Sequence, residues 1–159
     1  MSRPTRRRAR IARAARTQSG SALVELTWLG VLLVIPLVYL VITLVTVQAA
    51  AYGATEAARA AGRAYVLAPD LQSARHRAYA AGWIAMHDQG VDLQPADLVA
   101  RCLPTPRSCL QPGSSVEVRI ALHVALPLMP PVFGRSAASI AVDAVHIERY
   151  GVYREAGGR

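Results

Sequence analysis

The chain reads as an α+β protein: a long N-terminal transmembrane helix that continues into a helical stalk, then a small head containing a short antiparallel sheet. Three observations predict this. Residues 26–47 form an uncharged run of membrane length, residues 48–67 are dominated by alanine with no proline until Pro69, and residues 116–126 alternate strictly between apolar and other side chains.

The apolar run is rich in Leu, Val and Ile. At 1.5 Å per residue its 22 positions make a helix of roughly 33 Å, close to the roughly 30 Å hydrocarbon core of a bilayer. Thr27, Thr43 and Thr46 interrupt it, and their hydroxyls can bond carbonyls one turn back. Pro36 removes one backbone donor and crowds the turn containing Leu32, so a bend rather than a break is expected. Ala49-Ala50-Ala51 offers small residues to a signal peptidase, but secretory h-regions run to about 7–15 apolar residues, and this run is longer with an extended basic leader. Length therefore favours a retained anchor over ordinary signal cleavage.

The sequence has 18 basic residues, all arginine, against 10 acidic ones, a formal net charge of +8. Arg3, Arg6, Arg7, Arg8, Arg10, Arg13 and Arg16 precede the span with no acidic residue among them, whereas eleven arginines beyond Val47 are offset by nine carboxylates. By the positive-inside rule residues 1–20 stay in the cytoplasm and the chain from about Gln48 lies outside, which places the protein in the plasma (inner) membrane as a single-pass component. An arginine-rich tail can bind nucleic acid. Lying directly before a span, it is better explained by topology and attraction to anionic headgroups, so nucleic acid is not an expected partner. Arg6-Arg7-Arg8 also resembles a twin-arginine signal, but the apolar run is too distant and too hydrophobic for that use.

Three segments follow: a leader at 1–20, the membrane helix and its outward extension at 21–68, and one α+β head at 69–159, enough for a single modest core. Ala50, Ala54, Ala58 and Gly62 recur every four residues and line small side chains on one helix face, where another helix could approach closely in a filament or complex. Chance in an alanine-rich segment produces the same pattern. After Pro69-Asp70, residues 71–87 show a second helical pattern with Ala74, Ala78, Ala81, Ile84 and Ala85 on one stripe. Residues 88–114, with Pro95, Pro104, Pro106, Pro112 and Gly113, read as an irregular connection.

Val116, Val118, Ile120, Leu122, Val124 and Leu126 share one face of the clearest strand. A second strand, from Ser139 to about Tyr150, puts Ile140, Val142 and Ala144 on one parity but Val145 and Ile147 on the other, which a β-bulge near Ala144 would reconcile. Pro127, Pro130, Pro131 and Gly134 make the connector too long for a tight hairpin, yet able to return the chain antiparallel. Two strands alone are marginal in water, so their apolar face is expected to rest on the alanine-rich helices.

Cys102 and Cys109 are the only cysteines. Outside the cytoplasm they are expected to form an intrachain disulfide, and closing so short a loop is worth about 2.5 kcal/mol in the chain-entropy model. Their spacing is not that of a Cys-x-x-Cys redox pair, and a two-cysteine metal site would need further ligands. His76, His87, His123 and His146 show no metal-ligand spacing, although His123 and His146 have the positions to face each other across the sheet. Asp88, Asp92 and Asp97 lack the order of a calcium loop, and neither a Gly-x-Ser-x-Gly turn nor a phosphate loop occurs. Nothing here calls for a cofactor or a catalyst.

Gly20-Ser21-Ala22-Leu23-Val24-Glu25 resembles the leader of type IV pilins and pseudopilins, in which a peptidase cuts after glycine and glutamate is fifth in the mature chain. The longer pattern, through the proline-containing span to Ala-Thr-Glu-Ala-Ala-Arg-Ala-Ala-Gly-Arg, is similar to TadE-like proteins of the tight-adherence (Flp) pilus system, and residues 140–154 resemble that family's last strand. The resemblance departs at Leu26, where such pilins often carry tyrosine. It implies a non-catalytic minor pilin or pseudopilin, matured by a prepilin peptidase between Gly20 and Ser21, whose partners are other pilins, the tight-adherence secretion machinery and the membrane. Glu25 then has a physical role, because a carboxylate in apolar surroundings seeks a cation and a neighbouring subunit's amino group at Ser21 supplies one. The alternatives are an interfacial Glu25 resting among headgroups, and with it an unprocessed membrane-anchored envelope protein with a protein-binding head. A secreted enzyme freed near Ala51 is a third reading.

Overall fold

The computed structural model describes the backbone of residues 5–106, 109–127 and 138–153, and the side chains of these from residue 22 onward. The topology arginines Arg6, Arg7, Arg8, Arg10, Arg13 and Arg16 have their side chains outside that set, as do Gly20 and Ser21. Pro130, Pro131 and Gly134 lie outside it altogether. The elements are α1 (Thr5–Val66), α2 (Leu71–His87), a 3-10 turn (Pro95–Asp97), β1 (Leu98–Leu103), β2 (Ser115–Ala125) and β3 (Ser139–Arg149). The fold is α+β, as the sequence predicts. The chain divides into two compact units, Met1–Ile42 and Thr43–Arg159, so the C-terminal part of α1, from Thr43 to Val66, belongs to the same unit as α2 and the sheet.

α1 runs through Pro36 without interruption. Thr27 Oγ1 bonds the Leu23 carbonyl at 2.8 Å, the back-bonding expected of a threonine in an apolar helix. Thr43 differs: its hydroxyl is buried without a hydrogen-bond partner among the described residues.

α2 begins at Asp70, whose backbone is extended and whose carboxylate accepts from the Gln72 N–H at 3.0 Å and the Ser73 N–H at 2.8 Å. This caps two of the helix's otherwise unpaired donors. The same hydrogen bonds, the one from the Ser73 N–H foremost, hold the Asp70 carboxyl below its ordinary range. The helix ends at Asp88, and Gly90 at φ +72° supplies the left-handed residue that turns the chain away. The buried stripe of α2 is Ala74, Ala78, Gly82 and Met86. Ala81 and Ala85 are only half-buried and Ile84 is exposed, so the stripe is rotated from the one read in the sequence. Gly82 explains the shift: without a side chain it gives no hydrophobic signal, yet a Cβ there would lie 3.0 Å from Leu98 Cδ1.

The sheet has three antiparallel strands in the order β1-β2-β3, not two. β1 occupies part of the stretch expected to be irregular. Its six residues carry weak inward signals, Leu98, Ala100 and Cys102, between prolines at 95 and 104, which hides the alternation. Every position of β3 pairs in unbroken register with β2, from Ser115 opposite Arg149 to Ala125 opposite Ser139, so there is no bulge at Ala144. The parity conflict resolves differently: Val142 is buried, while Val145 and Ile147 stand exposed on the outer face. Their β-branched shape suits an extended backbone whichever way it faces.

The core lies between the inner face of the sheet and the two helices. Val116, Val118, Ile120, Leu122 and Val124 of the central strand are all buried, as are Ala50, Ala54, Ala57, Ala58 and Ala61 of α1. Two rows of small residues on α1 serve two neighbours. At Gly62, on the same i+4 row as Ala50, Ala54 and Ala58, a Cβ would meet Glu148 Cβ at 3.2 Å, His146 Cδ2 at 3.3 Å and Val118 Cγ2 at 3.7 Å. On the adjacent row, Ala61 lies 3.6 Å from a Cβ built at Gly82 of α2. Small side chains let both a sheet and a second helix approach α1 closely.

Candidate functional site

The first candidate is the apolar helix with its acidic entrance. Within α1, Ala22–Val66 is long and apolar enough to cross a membrane, and none of its most apolar stretch is buried inside the protein. Leu23 is 68% exposed, Leu32 69% and Leu40 63%, so apolar side chains face outward on every side. A helix apolar all round requires lipid or other helices as its surroundings. Glu25 lies on this helix and is exposed, with no hydrogen bond or ion pair among the described residues. One carboxylate on an otherwise apolar surface is the site's distinguishing chemistry. Gly20 and Ser21 lie on the same helical backbone, separated from Glu25 by Ala22, Leu23 and Val24.

The second candidate, the stripe of Ala50, Ala54, Ala58 and Gly62, is placed beneath the head's own sheet. All four are buried. These residues therefore pack within the chain, in keeping with the expectation that the sheet rests on the alanine-rich helices, although a small-residue row by itself suits sheet and helix partners alike.

Cys102 and Cys109 form a disulfide with Cα atoms 5.0 Å apart. Both sulfur-bearing residues are buried, and the Tyr65 hydroxyl lies 3.8 Å from Cys102 Sγ. Ser114, the buried polar residue beside this loop, has its hydroxyl 2.7 Å from the carbonyls of both Cys109 and Gln111, so its one proton serves either. The Ser114 carbonyl in turn accepts from the Tyr150 N–H at 2.9 Å, fastening the end of β3 to the disulfide loop. Ser114 was not a sequence candidate, since a lone serine in a turn carries no signal.

The histidines do not form a site. His123 pairs with Ala141 and His146 with Val118, which puts the two rings on opposite faces of the sheet rather than across from one another. His146 Nε2 lies 3.1 Å from Glu148 Oε2 on the half-buried inner side. His87 stacks on Trp83 with ring centroids 4.7 Å apart and is 3.8 Å from Asp92. Among the described residues, no group of three His, Cys, Asp or Glu side chains could hold a metal ion.

Comparison with known protein families, with curated proteins and with solved structures finds no match for this chain.

Proposed function

We propose that this chain is a minor pilin or pseudopilin-like component for assembly of a tight-adherence pilus, held in the inner membrane with its arginine leader in the cytoplasm and its head outside. The observation that carries this reading is the glycine-to-glutamate spacing, Gly20 to Glu25, at the entrance of a helix whose apolar side chains are exposed all round. The span supplies lipid anchorage before assembly, and the same apolar surface supplies helix packing afterwards. A prepilin peptidase acting between Gly20 and Ser21 releases the leader and creates an amino group. That cation pairs with Glu25 of a neighbouring subunit and fixes the axial register, because an unpaired carboxylate in apolar surroundings is strongly disfavoured.

Mass spectrometry of the membrane-extracted protein tests the processing step, with Ser21 as the expected N-terminus. Recovery only of chains that retain the arginine leader removes it. Glu25→Ala tests the register role: pili are lost while the protein remains in the membrane. Normal piliation with Glu25→Ala favours instead an unprocessed envelope protein whose head binds another protein.

A further inference from the structure

β1 is an edge strand, and a groove follows its free side. One cleft of about 360 Å³ is lined by residues 98–100, and a second of about 460 Å³ by residues 100–103. Side chains of consecutive residues alternate between the two faces of a sheet. Clefts bounded by neighbours of both parities, along a strand with a free side, reach the strand's backbone edge. Together the two clefts cover all six residues of β1. Among the described residues, the backbone of β1 pairs only with β2. In an antiparallel ladder every second residue points its N–H and C=O away from the partner, which leaves about three residues of β1 with unpaired groups along this groove.

The opposite wall comes from α2. Arg75 lines both clefts, as does Ala100, so the guanidinium-bearing residue stands at the middle of the groove and not at an end. Arg101 adds a second positive residue, no acidic residue lines either cleft, and Arg75 has no ion pair among the described residues. Tyr79 and Pro95 on one side and Pro104 and Pro106 on the other give the walls an apolar character.

We infer that this groove binds an extended acidic segment of another polypeptide, which adds as a strand to the free edge of β1 with an Asp or Glu side chain near its centre facing Arg75. Main-chain hydrogen bonds to an edge strand give affinity without demanding a particular sequence, and the wall residues add selection. The central place of Arg75 selects a side-chain carboxylate in a passing strand over a chain-terminal one, which would sit at the groove's end. This inference does not rest on the pilus reading; it holds for any partner presented outside the membrane.

The test uses the full chain in lipid nanodiscs and two synthetic heptapeptide mixtures, acetylated and amidated, with Glu or Lys fixed at the centre and Val, Thr or Ser elsewhere. Binding is read by titration, and its location by hydrogen–deuterium exchange. The Glu-centred mixture is expected to bind about three- to fivefold more tightly than the Lys-centred one, the upper part of what an exposed charge pair supplies, and to slow exchange across residues 98–103. Arg75→Ala, at an exposed position outside the core, is expected to shrink that preference while exchange elsewhere stays unchanged. N-methylation of alternate peptide nitrogens is expected to abolish binding. Equal affinity for the two mixtures, protection confined to residues 139–149 of the other edge, or undiminished binding of the N-methylated peptides would each overturn the inference.

Discussion

Enlarging Gly62 tests whether the small-residue row of α1 lies under its own sheet. A Cβ at this position meets Glu148 Cβ at 3.2 Å and His146 Cδ2 at 3.3 Å, tighter than ordinary contact, so the neighbours must yield by a few tenths of an ångström. Those neighbours sit on an edge strand and are about a third exposed, which lets them move. For Gly62→Ala the helix gains about 1 kcal/mol in propensity, and the crowding offsets most of it. Gly62→Leu pushes three further carbons against His146, Glu148 and Val118. Overpacking of that kind costs about 1–3 kcal/mol, and losing the His146–Glu148 hydrogen bond adds about 1 kcal/mol. After the helix gain is subtracted, the net loss is about 1–3 kcal/mol, or a fall in Tm of about 4–12 °C for a unit of this size. The assay is thermal unfolding by circular dichroism in detergent, with Gly62→Ala as the near-neutral control. A Gly62→Leu chain that melts with wild type would refute the reasoning and return the row to an intermolecular role.

Replacing both cysteines by serine is expected to lower head stability by about 2.5 kcal/mol, measured by denaturant unfolding with and without reductant; the reductant should have no effect on the variant. Met86→Ala removes a fully buried side chain beside Gly53 and is expected to cost about 2–5 kcal/mol, with a cost below that range showing that the site collapses around the gap. The Asp70 carboxyl is held below its ordinary value of 3.8, so its stabilisation is fully present above that pH and is lost as pH falls through the folded-state value. Asp70→Asn, which caps without titrating, should therefore show a shallower loss of thermal stability on acidification below about pH 4 than wild type does, and identical slopes would contradict the cap's role.

How much of this was legible in the sequence depended on whether one signal dominated. The strand at β2 was plain because five β-branched or leucyl residues alternate without exception, and the bounds of α2 followed from Pro69 before it and Gly90 after it. β1 was hidden because an alanine and a cysteine on its inner face look no more apolar than a loop does. β3 misled through Val145 and Ile147: apolar side chains left on the outer face imitate a register change, and only pairing distinguishes the two. The groove beside β1 was invisible for a different reason. Its chemistry lies in backbone groups and in Arg75, a residue indistinguishable in sequence from its neighbour Arg77. Gly20, Ser21 and Glu25 are the reverse case, since their spacing is legible in one dimension and the exposed apolar helix from Ala22 onward adds the surroundings of Glu25, while the described residues add no partner for it.

Because α1 buries only alanine and glycine between Ala50 and Gly62, this layer has almost nothing to lose and much to be harmed by. Truncating an alanine to glycine opens a void smaller than a water molecule and mainly weakens the helix, whereas any larger residue wedges the layers apart. Tolerance is thus inverted relative to a leucine-rich interior. Drift along this surface can proceed only toward the smallest side chains, which keeps the thickness of the head constant however far its exterior diverges.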